Sequence, residues 1–321
     1  MSRKQDKQLE QLEKRLTALY ADAAKEVSAE FDKFTSTFKD KDIEMSVKVQ
    51  GGTMSDAEYE LWRQKNILQS DMYQSTINNL TDMMVKADIM AMAVVKGELP
   101  KVAAESYNFG QALGWKAAQD SGLSLGTFQI YNARSIQRLL KGSKIMKDVD
   151  IPLDKKWNRD KINKAISTSI LKGDSIPKTA DRLQNITDMD RNAAIRNART
   201  CMTAAENMGR AEAFDNIKAK GVPVDFVWSC VHDNRTRDTH ILLDGTIRDE
   251  NGYFGVGIIN TPLRFPADPD GDPEEIYNCR CRASIVLQGI DHSNDDELYE
   301  QFMKENDPKS YEALEKRGYF G

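Results

Sequence analysis

Leu9, Leu12, Leu16, Leu19, Ala23, Val27, Phe31, Phe34 and Phe38 fall at steps of three and four near the start of the chain. That spacing draws one apolar stripe down a helix, serving either as core or as a coiled-coil-like oligomer seam. The stripe covers about 30 residues, roughly 45 Å of helix at ~1.5 Å per residue. Gly51 and Gly52 close this first element, and Ser55 with Glu58 forms a capping box for the next. Helical spacing continues to Gly97, and Pro100 fits the first turn of a further helix. "TFQIYNARSIQRLLKG" (127–142) predicts another, with a glycine stop. The stretch "DMMVKADIMAMAVV" reads as helical core, although methionine also suits a pliable binding surface. No strand pattern precedes residue 220, and no repeat period marks a solenoid.

Asp154 to Gly221 reads as three helices. Ile162, Ile166 and Ile170 mark the first, "LKGDS" stops it, and Asp174 or Ser175 caps the second. The third runs from Asp188 to about Lys220. Cys201, among Ala198, Ala204 and Ala205, reads as an inert buried thiol. After Gly221 the period changes. "VPVDFVWSC" alternates and is β-branched and aromatic, which predicts a strand. Asp244-Gly245 and Asn251-Gly252 signal turns, and "CRCRASIVL" ends as a second strand. The expected fold is mainly α with a small α+β C-terminal cap. A helical region over 1–147 precedes a helix bundle and short-stranded sheet over 148–289, then an acidic tail over 290–321.

At 321 residues, with 40% apolar and 30% charged, the chain has room for two or three compact units and is not low-complexity disorder. The longest apolar run, Ile89 to Val95, is too short to span a bilayer. "MSRKQDKQLEQLEKR" lacks an apolar centre and a cleavage site, so no signal peptide is expected, and the thiols are expected reduced in cytosol. The net charge of −5 is uneven. Arg134 to Lys220 carries 19 Lys and Arg against 11 Asp and Glu, while Ile290 to Gly321 carries 4 against 9. The basic span serves either a polyanion or simply the solvated faces of several helices.

Three of the four cysteines and two of the three histidines lie between Cys230 and Cys281. "EEIYNCRCRAS" places Cys279 and Cys281 one residue apart, where a disulfide would be strained. On an extended strand residues i and i+2 point the same way, so both thiolates can face one ion. A closed tetrahedral site needs four soft ligands, and Cys230, His240, Cys279 and Cys281 supply one set, with His232 as a rival. The alternative is reduced thiols without metal beside a hydrogen-bonded His240. "DPDGDPEE" (268–275) resembles a calcium loop only loosely; its glycine is misplaced and its prolines stiffen it, so a tight acidic turn is expected.

"VWSCVHDNRTRDTHILLDG", then "FPADPDGD", then "NCRC", preceded by "ARTCMTAAENMGR", resembles the head-morphogenesis or minor-head-protein family of tailed phages, whose namesakes are the Mu F-like proteins. The resemblance covers roughly Ile162 to Leu287. Arg199, Thr200, Asn207, Trp228, Asp233, Arg235, Thr236, His240, Gly245, Asn278, Cys279, Arg280 and Cys281 stand in motif positions. Some relatives carry two cysteines where this chain has Arg237 and His240; Arg237 cannot ligate, so Cys230 takes that place in the set. The resemblance implies a non-enzymatic virion protein of the phage head interior, present in host cytoplasm during assembly. Its implied partners are the portal protein, the scaffold and major capsid proteins, and DNA bound weakly without sequence preference. A structural Zn²⁺ is the implied cofactor. The alternatives are a metal-dependent nuclease using Asp233 and His240, or a stand-alone DNA-binding protein. No P-loop, dinucleotide fingerprint or Ser-His-Asp signature is present.

Overall fold

A computed structural model describes residues 3–123, 134, 136, 140, 155–172, 174, 176–287, 294–316 and 320. Within them the chain is mainly helical, with one two-stranded antiparallel sheet near its C-terminal end. The helix expected over 127–142 lies, but for three residues, outside the described residues.

The first element expected up to Gly51 divides between two helices, with the apolar stripe on the first of them. Helix α1 (Arg3–Ser36) ends in a turn at Thr37 and Phe38, and α2 (Lys39–Gln50) follows. Leu12, Leu16, Val27, Phe31 and Phe34 are buried as the stripe requires, whereas α2 buries nothing. Ser55 and Glu58 form the expected capping box at α3 (Asp56–Arg63), which runs into a π-helical turn over Gln64–Leu68. Helix α4 (Asp71–Asp120) corrects the sequence reading, because Pro100 sits inside it rather than opening a new helix. An interior proline forgoes a backbone hydrogen bond and crowds the preceding turn, at a cost of ~3 kcal/mol. Leu99, Val102 and Ala103 are buried around it, and that packing offsets the cost. After α5 (Lys155–Lys172), a single helix α6 (Ile176–Ala219) replaces the two expected. Nothing at Asp188 stops it, and Leu183 and Ile186 are buried just before.

The contacts define two compact units whose boundaries fall within α1, α4 and α6. One comprises 14–93 and 151–195. Its core gathers Phe31 and Phe34 of α1, Tyr73, Ile77 and Leu80 of α4, and Ile162 and Ile166 of α5. It also buries polar groups: Tyr20 donates to Asp88 Oδ1 (2.7 Å) and Asn158 Nδ2 to Asp88 Oδ2 (3.3 Å).

The other unit comprises 1–13, 94–150 and 196–321. Strands β1 (Val224–Ser229) and β2 (Arg282–Leu287) pair with Val224 opposite Leu287 and Ser229 opposite Arg282. Between them come α7 (Asp238–Leu243) and the short α8 (Pro273–Ile276). The alternation holds: Val224, Phe226 and Trp228 are buried, and Phe226 stacks on Phe214 of α6. The acidic segment beyond residue 290 forms α9 (Asp295–Asn306) and α10 (Pro308–Lys316). Tyr299, Phe302 and Met303, at steps of three and one, bury themselves against Ala112, Phe109 and Trp115 of α4.

Candidate metal centre

Asn207 of α6 ties the chemistry-bearing segments together. It is fully buried, and its Nδ2 faces the carbonyls of Pro266 and Cys281 at 3.1 Å each. Its Oδ1 accepts the Ala283 N–H at 2.9 Å. One amide thus fixes the start of β2, and with it Cys281. Thr200, two turns earlier, accepts the N–H of Asn278 on Oγ1 at 3.0 Å. Asn278 has φ 56°, a left-handed conformation that asparagine tolerates better than most residues, and the chain reverses there directly before Cys279.

Asp233 organises the loop ahead of α7. Its carboxylate takes both ends of the Arg280 guanidinium (2.7 and 2.6 Å), the Arg235 N–H (3.0 Å) and the Thr236 hydroxyl (3.3 Å). The Arg280 hydrogen bond chiefly holds its carboxyl well below the usual range. Gly245, at φ 74°, turns the chain after α7 and donates to the Trp228 carbonyl at 2.9 Å. Trp228 is fully buried and packs edge-on to the His240 ring, with centroids 5.3 Å apart.

These struts bring three of the four expected ligands together. Buried His240, Cys279 and Cys281 place their ligand atoms within 4.8 Å of one another. His240 Nδ1 lies 3.3 Å from Cys281 Sγ and 3.7 Å from Cys279 Sγ. A tetrahedral zinc with Zn–S of about 2.3 Å and Zn–N of about 2.0–2.1 Å separates N from S by about 3.6 Å, so the trio has the dimensions of one face of such a site. The thiols are also coupled. Cys279 is shifted downward, first by its hydrogen bond from Cys281, and Cys281 is shifted upward by the same bond and by burial, so Cys279 is the readier thiolate.

Glu275, which sequence reasoning did not single out, completes the arrangement. Its Oε2 lies 2.9 Å from His240 Nε2, at ion-pair distance but out of line for a hydrogen bond, and it accepts the Thr239 hydroxyl at 3.1 Å. A proton on Nε2 facing this carboxylate leaves the Nδ1 lone pair toward the thiols, the arrangement by which carboxylates orient metal-binding histidines. Nothing in the acidic run 268–275 distinguishes Glu275 from its neighbours by sequence alone. That run is the tight turn expected: Asp268 is buried and held bidentately by Arg264 (2.7 and 2.6 Å).

Cys230 stands apart from the trio. It groups with His232 and Asp244, its Sγ 3.8 Å from His232 Nε2, which in turn lies 2.8 Å from Asp244 Oδ2. Its N–H donates to Asp244 Oδ1 at 2.8 Å. Burial, then Asp244, then Cys281 push its thiol up to about 11. Cys230 directly follows Ser229 and Cys281 directly precedes Arg282, the last pair of the sheet, which brings the two near each other. Cys201 is buried beside Thr200 and Ala204, as expected of an inert thiol.

Residues 160–284 match the family described as Phage Mu protein F like protein, the family that the motif resembles. That match contains every strut and all four expected ligands, and it points to a phage head protein. The chain is also similar to the NAD(+)–arginine ADP-ribosyltransferase EFV of Enterococcus faecalis, at 24% identity over 172 residues, 49% of this chain and 34% of that protein. The chain thus spans about a third of that relative's length (34%). No solved structure matches. Among the described residues, no helix is long and apolar enough to cross a membrane.

Proposed function

We propose that this chain is a minor head protein of a tailed bacteriophage, associating with the portal and procapsid interior during head morphogenesis and contacting packaged DNA. The observation that carries the reading is the Mu F-like match over 160–284, which coincides with the trio and its struts. In this reading 1–147 docks, 148–289 is the head-protein domain and 290–321 is an acidic C-terminal part. The scaffold and major capsid proteins are further partners, and the virion head interior is the final location. Exposed Ile43 and Val47, one turn apart on α2, offer docking surface within the front region.

The trio's role is structural. His240, Cys279 and Cys281 would hold Zn²⁺, and Cys230, just beyond the last sheet pair Ser229 and Arg282, would supply the fourth ligand by turning away from His232. Such a metal would cross-link β1, α7 and the Cys-x-Cys segment beside the buried Phe226, Trp228 and Phe254. A nuclease reading is weakened by Asp233, whose carboxylate is committed to Arg280 rather than free to act as a base.

The test is co-purification with portal rings or procapsids from infected cells. The wild-type chain is expected in both, and Ile43→Asp/Val47→Asp is expected to fold but to be missing from heads. Absence of the wild-type chain from procapsids and virions contradicts the assignment.

A further inference from the structure

Three of the motif arginines, Arg280 among them, also line a cleft apart from the His240, Cys279 and Cys281 trio. This cleft of about 320 Å³ is lined by Arg199 of α6, Arg235 of the loop before α7, Arg280 between the cysteines, and Arg282 of β2. That volume falls in the range of ligand-binding clefts. Three carboxylates share the lining: Glu206, and Asp6 and Glu13 from the first turns of α1. Arg199 grips Glu13 through Nε (2.5 Å) and Nη2 (2.9 Å). Arg282 reaches Glu206 at 2.9 Å and Asp6 at 3.5 Å, while its buried Nη1 has no hydrogen-bond partner. Arg235 is 70% exposed and meets Asp233 only at 3.6 Å. Two of the three lining carboxylates therefore belong to α1; without them Arg199 loses Glu13 and Arg282 keeps only Glu206, while Arg280 stays on Asp233.

Guanidinium forks match carboxylate and phosphate oxygens equally well, and partly exposed ion pairs are weak enough to exchange. We propose that this cleft binds the phosphodiester backbone of duplex DNA, with Asp6 and Glu13 of α1 occupying the phosphate positions until DNA displaces them. The proposal rests on the reading that the protein contacts packaged DNA. It moves that contact from the broad basic span to four arginines, of which only Arg199 lies within that span. It also makes the N-terminal turns a built-in competitor.

The experiment is fluorescence anisotropy of a labelled mixed-sequence duplex against the full chain over a salt series. Wild-type affinity is expected to fall with salt, at a log–log slope of about −0.9 per phosphate contacted. Asp6→Asn/Glu13→Gln is expected to bind about three- to tenfold tighter. Arg199→Gln/Arg235→Gln is expected to bind more weakly with a slope shallower by about two, and exposed Arg235→Gln alone by about one. Asp22→Asn/Glu44→Gln, neutralising two acids outside the cleft, controls for net charge. Binding that responds equally to both acid pairs, or that ignores the arginine variants, overturns the cleft while leaving DNA contact elsewhere intact. No binding at low salt by the wild type or by Asp6→Asn/Glu13→Gln overturns both readings.

Discussion

Replacing Asn207 with alanine removes one side chain and unties three segments. In the folded chain its amide serves the Pro266 carbonyl, the Cys281 carbonyl and the Ala283 N–H, all by hydrogen bonds of 2.9 to 3.1 Å at a fully buried position. A further bond to Thr203, one turn back on the same helix, adds little. Each buried group left without a partner costs about 1–3 kcal/mol, and three such groups set a ceiling near 9 kcal/mol. Relaxation and water entry lower this, so about 3–5 kcal/mol is expected, a large share of the ~5–15 kcal/mol that holds a typical domain folded. Because the chain has two compact units, one global melt does not isolate the effect. Amide exchange along β2 does. Opening there should become easier by a factor of at least about 100, since ~1.4 kcal/mol corresponds to tenfold. Asn207→Asp keeps the acceptor for Ala283 but sets a carboxylate against two carbonyls, and should regain part of its loss at low pH, where a protonated acid donates again. A loss under about 1 kcal/mol for Asn207→Ala, with β2 amides still protected, would refute the role given to this residue.

Two further outcomes follow from buried groups. Burial, then the neighbouring Asp88, raise Asp190 from 3.8 to about 7, and its Oδ2 lacks a hydrogen-bond partner. The acid is thus easier to protonate folded than unfolded, so its contribution is fully present below about pH 4 and lost as pH rises through about 7. Asp190→Asn should stabilise the fold at pH 8 but not at pH 4, by about 1–2 kcal/mol once solvent screening of a partly exposed group is allowed for, read as a higher melting temperature at pH 8 alone; an unchanged pH profile counts against it. Cys279→Ser should loosen the segment from Trp228 to Leu287, by ~2 kcal/mol or more, while Cys201→Ser stays within ~1 kcal/mol; equal effects in limited proteolysis would remove the distinction.

Features set by neighbours in the chain were readable from sequence. The α1 stripe, the Ser55–Glu58 box and both strands follow from spacing and strand alternation, whereas the convergence of His240 with Cys279 and Cys281 was legible from the scarcity of soft ligands and from the motif, since both cysteines precede β2. What was not readable depends on distant packing. Pro100 stays inside α4 because the residues around it are buried, and α6 runs through Asp188 because no stop exists and Leu183 and Ile186 need burial. Tyr20, Asp88 and Asp190 look solvent-facing in one dimension, yet Tyr20 and Asp88 are buried together and Asp190 is half-buried near Asp88. Glu275 is one acid among many until α7 brings His240 to it. For Cys230 the place at a strand end was legible, but the pull of His232 and Asp244 on its side chain was not.

The most direct measurement is elemental analysis of the purified full-length chain, paired with thermal melts with and without chelator. With His240, Cys279 and Cys281 already spaced as one face of a tetrahedral site, and structural zinc binding being itself folding free energy, about one zinc per chain and a melt lowered by chelator are the predicted results. Less than about a few tenths of a zinc per chain, with a melt indifferent to chelator, would contradict the centre and leave two reduced thiols packed against a histidine at the edge of a small sheet.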